Sequence, residues 1–133
     1  MIFNTNKEKG RAGMALGIAY FGANGYTINI PMNDTQWYDF IIEKDGIFET
    51  VQCKATGSQD GRIDFRSTGG TDGGVYDIAT NHPLDWLFCL NQNGDMFAIP
   101  CKDIPNTQKG IVLKTTPNAN KQGFETYKYV VKI

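Results

Sequence analysis

The sequence has no apolar run approaching the roughly 18 residues needed to cross a bilayer. Its opening, MIFNTNKEKG, lacks the basic-then-apolar order of a secretory signal. Both absences lead to the expectation of a cytoplasmic protein with no membrane partner. Cysteine is scarce: Cys53, Cys89 and Cys101 are odd in number and show no zinc-like spacing. That argues against a disulfide framework or structural zinc and for free, buried thiols. The one histidine, His82, precedes Pro83, which restricts it to extended or turn backbone and favours a loop residue over a general base. An excess of either charge is also missing, with 13 Lys and Arg against 14 Asp and Glu and a net charge of -1. A nucleic-acid binder with this balance must concentrate its positive charge, for example at Lys7, Lys9 and Arg11 near the start and at Arg62 and Arg66 mid-chain. Composition alone favours the plainer reading of scattered solubilising charges.

What is present describes one ordinary globular domain. A chain of 133 residues, 41% hydrophobic and 20% charged, can bury a core of its own but not two, so residues 1–133 are expected to form a single domain. From about Glu8 to Asn24, Ala12, Ala15, Leu16, Ala19, Tyr20 and Ala23 recur at three- and four-residue steps, the stripe of a helix face. Gly10, Gly13 and Gly17 line another side, flanked by Met14, Ile18 and Phe21. Glycines there cost helix stability unless close backbone packing compensates. Asn24-Gly25 ends the helix, the glycine suited to a left-handed cap.

Strands follow. YTINIP is a short one, and WYDFIIEKDGIFETVQCKAT reads as two strands joined by a tight turn at Lys44-Asp45-Gly46. GRIDFRS is another short strand, GGTDGGVYDIATNHP a polar loop, and LDWLFCLNQNGDMFAIP a second hairpin with an apolar, central first strand. GIVLK and YKYVVKI are two further candidates. Helix, antiparallel hairpin and later strands make a mixed α/β or α+β sheet domain.

Alternation puts Gln52, Lys54 and Thr56 on one face of their strand, and Asp39 near the start of the preceding one. An aspartate oxygen, an amide oxygen and an ammonium can therefore share one patch. Oxygen ligands that hold Mg²⁺ against a phosphate, with a lysine to orient water or stabilise developing charge, are the equipment for hydrolysing a phosphodiester. Spacing by two is required because only residues i and i+2 face the same side. The three residues alone are a weak pattern, and on them alone an exposed hairpin face is the better reading.

The run KEKGRAGMALGIAYFGANGYTINIPMNDTQWYDFIIEKDGIFETVQCKAT is similar to the PD-(D/E)XK nucleases of restriction-endonuclease-like fold. It resembles most the small branch that includes a cyanobacterial intron-encoded homing endonuclease, in which glutamine replaces the usual second acid. Matching features are NTNKEKG leading into a helix, the glycine-capped turn into YTINIP, then YDFIIEKDG and VQCKAT. The later LDWLFCL and GDMFAIP hairpin fits as well, so the likeness runs from residue 4 to about residue 100. Archaeal Holliday-junction resolvases share the opening order more distantly.

The resemblance implies a Mg²⁺- or Mn²⁺-dependent DNA endonuclease cutting by direct attack of water. Asp39, Gln52 and the backbone carbonyl of Cys53 would be metal ligands and Lys54 the catalytic lysine. Where the family carries a helix glutamate in a Gly-Glu-Ala context, this sequence reads Gly13-Met14-Ala15, and a thioether is no ligand for a hard cation. Three explanations stand: an inactive variant, substitution by Glu8 or Glu43, or a site completed only on DNA. Lys7, Lys9, Arg11, Arg62, Arg66 and Lys121 are the expected DNA contacts, and the glycine-rich RSTGGTDGG segment could meet phosphate or serve as a plain surface loop. Trp37, Tyr38 and Trp86 are read as packing residues. Double-strand cleavage by so small a subunit implies a homodimer or homotetramer. Duplex-specific cleavage is the leading expectation, with junction resolution and a catalytically dead DNA-binding module as alternatives.

Overall fold

The computed structural model describes residues 3–33, 35–65, 84–105, 108–117 and 123–133. Its first element is helix α1, Asn6–Ala23. Both ends are written in local chemistry. The Thr5 side chain accepts from the Glu8 N–H at 3.1 Å, and the Glu8 carboxylate accepts from the Asn4 N–H at 2.8 Å, satisfying amides that the first turn leaves unpaired. At the other end Gly25 takes φ +89°. Tyr26 N–H then bonds to the Phe21 carbonyl and Gly25 N–H to that of Gly22, a Schellman closure sealed by the Phe21 and Tyr26 rings at 5.6 Å. The Lys44 ammonium adds a bond to the Asn24 carbonyl at 3.2 Å, a cation where the helix ends negative.

The strands are β1 Thr27–Asn29, β2 Phe40–Lys44, β3 Ile47–Ala55, β4 Arg62–Asp64, β5 Trp86–Leu90, β6 Met96–Pro100, β7 Gly110–Val112 and β8 Val130–Val131. Six of them form one sheet in the order β1-β2-β3-β5-β6-β8, and β4 pairs with β7 in a second. Every pairing is antiparallel except β3 with β5, so the sheet is mixed, as the sequence pattern predicts. The β2–β3 hairpin closes on Asp45-Gly46, both at positive φ (54° and 81°), the two-residue turn that matches the twist of its strands. β5 lies between β3 and β6 and is buried from Leu87 to Leu90, which is why it reads as an unbroken apolar run.

Two apolar layers hold the sheet. On one face α1 packs Phe21 against Phe40, Ile42, Val51, Phe88 and Ala98. On the other, Leu87, Cys89, Phe97 and Ile99 meet Ile63 and Ile111 of the small sheet and Phe65 and Leu113 just beyond its strands. The fully buried Thr126 ties the tail to β7, its hydroxyl donating to the Val112 carbonyl at 2.8 Å and accepting from Lys114 N–H at 2.9 Å.

Two expectations need correction. The helix buries its glycine side, Gly13, Gly17 and Phe21, while Ala15, Ala19 and Ala23 of the alanine stripe are exposed. Alanines mark a helix but hold little apolar area, so the large Phe21 ring and the close approach that glycines permit decide the orientation. The tail candidate YKYVVKI begins as a 3-10 turn over Thr126–Tyr129, leaving only Val130–Val131 as strand. The predicted loop GGTDGGVYDIATNHP, with His82, lies outside the described residues. Among the described residues no helix is long and apolar enough to cross a membrane. The cysteines are free thiols, Cys89 and Cys101 buried and Cys53 partly so.

Candidate active site

Strand β3 divides the chemistry by alternation. Cys53 sits opposite Phe88 and faces α1, whereas Gln52 and Lys54 sit opposite Leu87 and Cys89 and face the other way. Asp39 is the residue just before β2. Its N–H donates to the Val51 carbonyl at 2.8 Å, which extends the ladder one step and sets Asp39 beside Gln52. Its Oδ2 accepts the Cys53 N–H at 2.6 Å, a short charge-assisted bond. The carboxylate thus takes over an amide that points along the sheet, and is held against β3 where Gln52 and Lys54 leave it. Asp39, Gln52 and Lys54 are brought together as the spacing predicts.

The electrostatics of the patch are unequal. Burial raises the Asp39 carboxyl above the ordinary carboxylate range, and the Cys53 N–H and the Lys54 charge pull it partly back. Gln52 Oε1 is buried without a hydrogen-bond partner among the described residues. An acceptor in that state normally faces something that would complete it. A carboxylate, an orphaned amide oxygen and the carbonyl of Cys53 make an all-oxygen donor set on two adjacent strands, which fits a hard divalent cation. The set has one carboxylate, and no group of three His, Cys, Asp or Glu side chains gathers anywhere among the described residues. A cation held there would need further oxygens from elsewhere.

The alternatives for a second acid can be placed. Glu8 caps the start of α1, and Glu43 accepts the Gly46 N–H at 3.0 Å in the hairpin turn, four strand residues or about 13 Å from Asp39. Each carboxylate is engaged by a backbone amide of its own. Met14 packs, half-buried, on the α1-side cluster.

The expected DNA contacts scatter. Lys7 and Arg11 are exposed on α1, and Lys9 lines a hollow of about 350 Å³ with Phe3, Asn4, Thr5, Asn6 and Gly57. Arg62 is paired with Asp64, Nε to Oδ1 at 2.9 Å, on the exposed side of β4. Arg66, Lys121 and the glycine-rich segment lie outside the described residues. Trp86 packs at 5.6 Å from the Phe21 ring and Trp37 at 5.4 Å from Tyr38, as packing residues should.

Sequence reasoning missed two supports. Asp85, just before β5, accepts the Thr50 N–H at 2.8 Å, and its own N–H donates to the Thr50 hydroxyl at 3.1 Å, which clamps the start of the parallel pair. Its signal was the same as that of Asp39: an aspartate immediately before an apolar strand. The other is Gly17, whose missing side chain makes room for the Cys53 thiol.

Comparison with known proteins agrees with this geometry. No curated protein matches the chain. Among solved structures it is similar to the bacterial homing endonuclease I-Ssp6803I, with a TM-score of 0.66 at 18% identity over 95% of this chain and 87% of that one. That likeness establishes the restriction-endonuclease-like fold. The family model for the PD-(D/E)XK endonucleases matches residues 4–129, beyond the segment on which the sequence resemblance rests. With nearly the whole chain matched, this protein belongs to the PD-(D/E)XK endonuclease family.

Proposed function

We propose that the chain is a divalent-metal-dependent DNA endonuclease acting at a specific duplex sequence, working as a homodimer or homotetramer of single-domain subunits. The observation that carries this reading is the Asp39 carboxylate held on the Cys53 amide beside the unpartnered Gln52 oxygen and next to Lys54. Asp39, Gln52 and the Cys53 carbonyl would hold Mg²⁺ or Mn²⁺. When bound, the cation would neutralise phosphate charge and make an adjacent water more acidic. Asp39 is kept rigid by its amide bond, so its free oxygen offers a fixed direction to a ligand. Lys54 supplies a positive charge beside that carboxylate, placed to orient water or meet charge developing on the phosphate. The scarcity of carboxylates makes the site dependent on DNA, whose phosphate oxygens would supply the missing donors.

Met14 supports a second reading, a DNA-binding module that has lost cleavage. A methionine packed on the α1-side cluster offers no hard oxygen where the family glutamate would stand. A cleavage assay separates the readings: Mg²⁺ or Mn²⁺ with long duplex DNA and with a four-way junction, comparing the native chain, Met14→Glu and Lys54→Ala. Duplex cutting by the native chain, abolished by Lys54→Ala, supports the nuclease. Cutting by Met14→Glu alone identifies a disabled nuclease. Junction cutting without sequence preference favours a resolvase. Metal-independent DNA binding with no cutting by any variant overturns the proposed activity.

A further inference from the structure

Cys53 serves two sides of the molecule at once. Its N–H holds Asp39 Oδ2 at 2.6 Å, while its thiol fills the space over Gly17. A Cβ at Gly17 would lie 2.8 Å from Cys53 Sγ and 3.2 Å from Phe88 Cδ1, well inside the roughly 3.5–4.0 Å of ordinary contact. One turn earlier, a Cβ at Gly13 would meet Ala55 Cβ at 3.5 Å and Cys53 Cβ at 3.9 Å, both ordinary packing distances. Of these two glycines only Gly17 leaves no room for a side chain, and the nearest atom there belongs to the residue whose amide fixes the carboxylate. A close-packed layer transmits such a displacement to the backbone it rests on.

We infer that Gly17 and Cys53 are a positioning pair for the metal site: the depth at which α1 sits on the Cys53 thiol sets the β3 amide that orients Asp39. The inference rests on the reading of Asp39 as the metal carboxylate. Neither residue touches the reacting atoms. Both act through the Cys53 N–H, and Gly13, of the same type on the same helix, is the internal control.

The test reads the Cys53 amide by NMR in the full chain and Mn²⁺ half-saturation by paramagnetic broadening of the Asp39 and Gln52 amides. Gly17→Ala should move the Cys53 amide proton upfield, speed its exchange at least about tenfold relative to Ile63 in β4, and raise Mn²⁺ half-saturation about tenfold. Gly13→Ala should leave both where they are. Adding Cys53→Ala to Gly17→Ala removes the sulfur and should return both readings to within about threefold of the native protein. If Gly17→Ala does not fold, Cys53→Val adds bulk at the same contact and should act in the same direction. A Cys53 amide unmoved in Gly17→Ala, or one whose exchange rises no more than that of β3 and β5 as a whole, overturns the pair while native Mn²⁺ binding stands. No Mn²⁺ response in the native protein even with duplex DNA present overturns the metal reading, and the positioning role with it, whatever the amide does.

Discussion

Alanine in place of Gly13 or of Gly17, one turn apart on the same helix, should change stability in opposite directions. Both substitutions gain about 1 kcal/mol of helix propensity, because glycine leaves more backbone freedom to lose on folding. At Gly13 the new methyl meets Ala55 Cβ at 3.5 Å and costs nothing further, so the net effect is a gain of about 0.5–1 kcal/mol. At Gly17 it meets Cys53 Sγ at 2.8 Å and the Phe88 ring at 3.2 Å. Overpacking of that kind costs about 1–3 kcal/mol and outweighs the same gain, for a net loss of about 1 kcal/mol. In a chain of 133 residues each kcal/mol corresponds to about 3–4 °C in Tm. Urea denaturation followed by circular dichroism, with thermal melts alongside, would resolve a separation of about 1.5–2 kcal/mol between the two variants. Equal shifts of the same sign would refute the reasoning, since they would mean that α1 does not rest on β3 through Gly17.

Asp39→Asn should raise stability at pH 7 while abolishing metal binding. The folded-state pKa of Asp39 lies above its unfolded value, so its contribution to stability is full below the unfolded pKa and is lost as pH rises through the folded one. Asparagine keeps an oxygen for the Cys53 N–H without the buried charge, and its advantage in urea midpoint should therefore shrink as pH falls below the carboxylate range. An advantage that grows on acidification would show that the amide bond and Lys54 outweigh burial. The thiols give a further check: burial pushes Cys101 up to about 12 and holds Cys53 and Cys89 above their ordinary range. A thiol reagent at pH 8 should label all three promptly in urea and scarcely at all in the native protein, and rapid native labelling would contradict the packing around β5 and β6.

Much of the fold was legible because local chemistry and burial agree. Asp45-Gly46 forms the predicted turn, Asn24-Gly25 the predicted cap, and WLFCL the central strand, each from a signal only a few residues long. The Asp39, Gln52 and Lys54 patch was legible for the same reason, since period two and a two-residue hairpin fix the register. The orientation of α1 was not: four alanines, a leucine and a tyrosine in a stripe outnumber one phenylalanine, yet buried area and close approach decide which face turns inward. Nor could alternation reveal that Glu8 and Glu43 are engaged in a cap and a turn, because a carboxylate near a motif in sequence carries no direction. The basic residues were the least legible, since single charges lack a period, and Arg62 spends its guanidinium on Asp64 two residues away.

The most direct test of the active site is a Mn²⁺ titration of the native chain and of Asp39→Ala, each with and without duplex DNA. The account predicts weak binding to the native protein alone, at least about tenfold tighter binding when DNA supplies phosphate oxygens, and loss of that DNA-dependent binding in Asp39→Ala. Undiminished Mn²⁺ binding by Asp39→Ala in the presence of DNA would place the metal elsewhere and contradict the assignment.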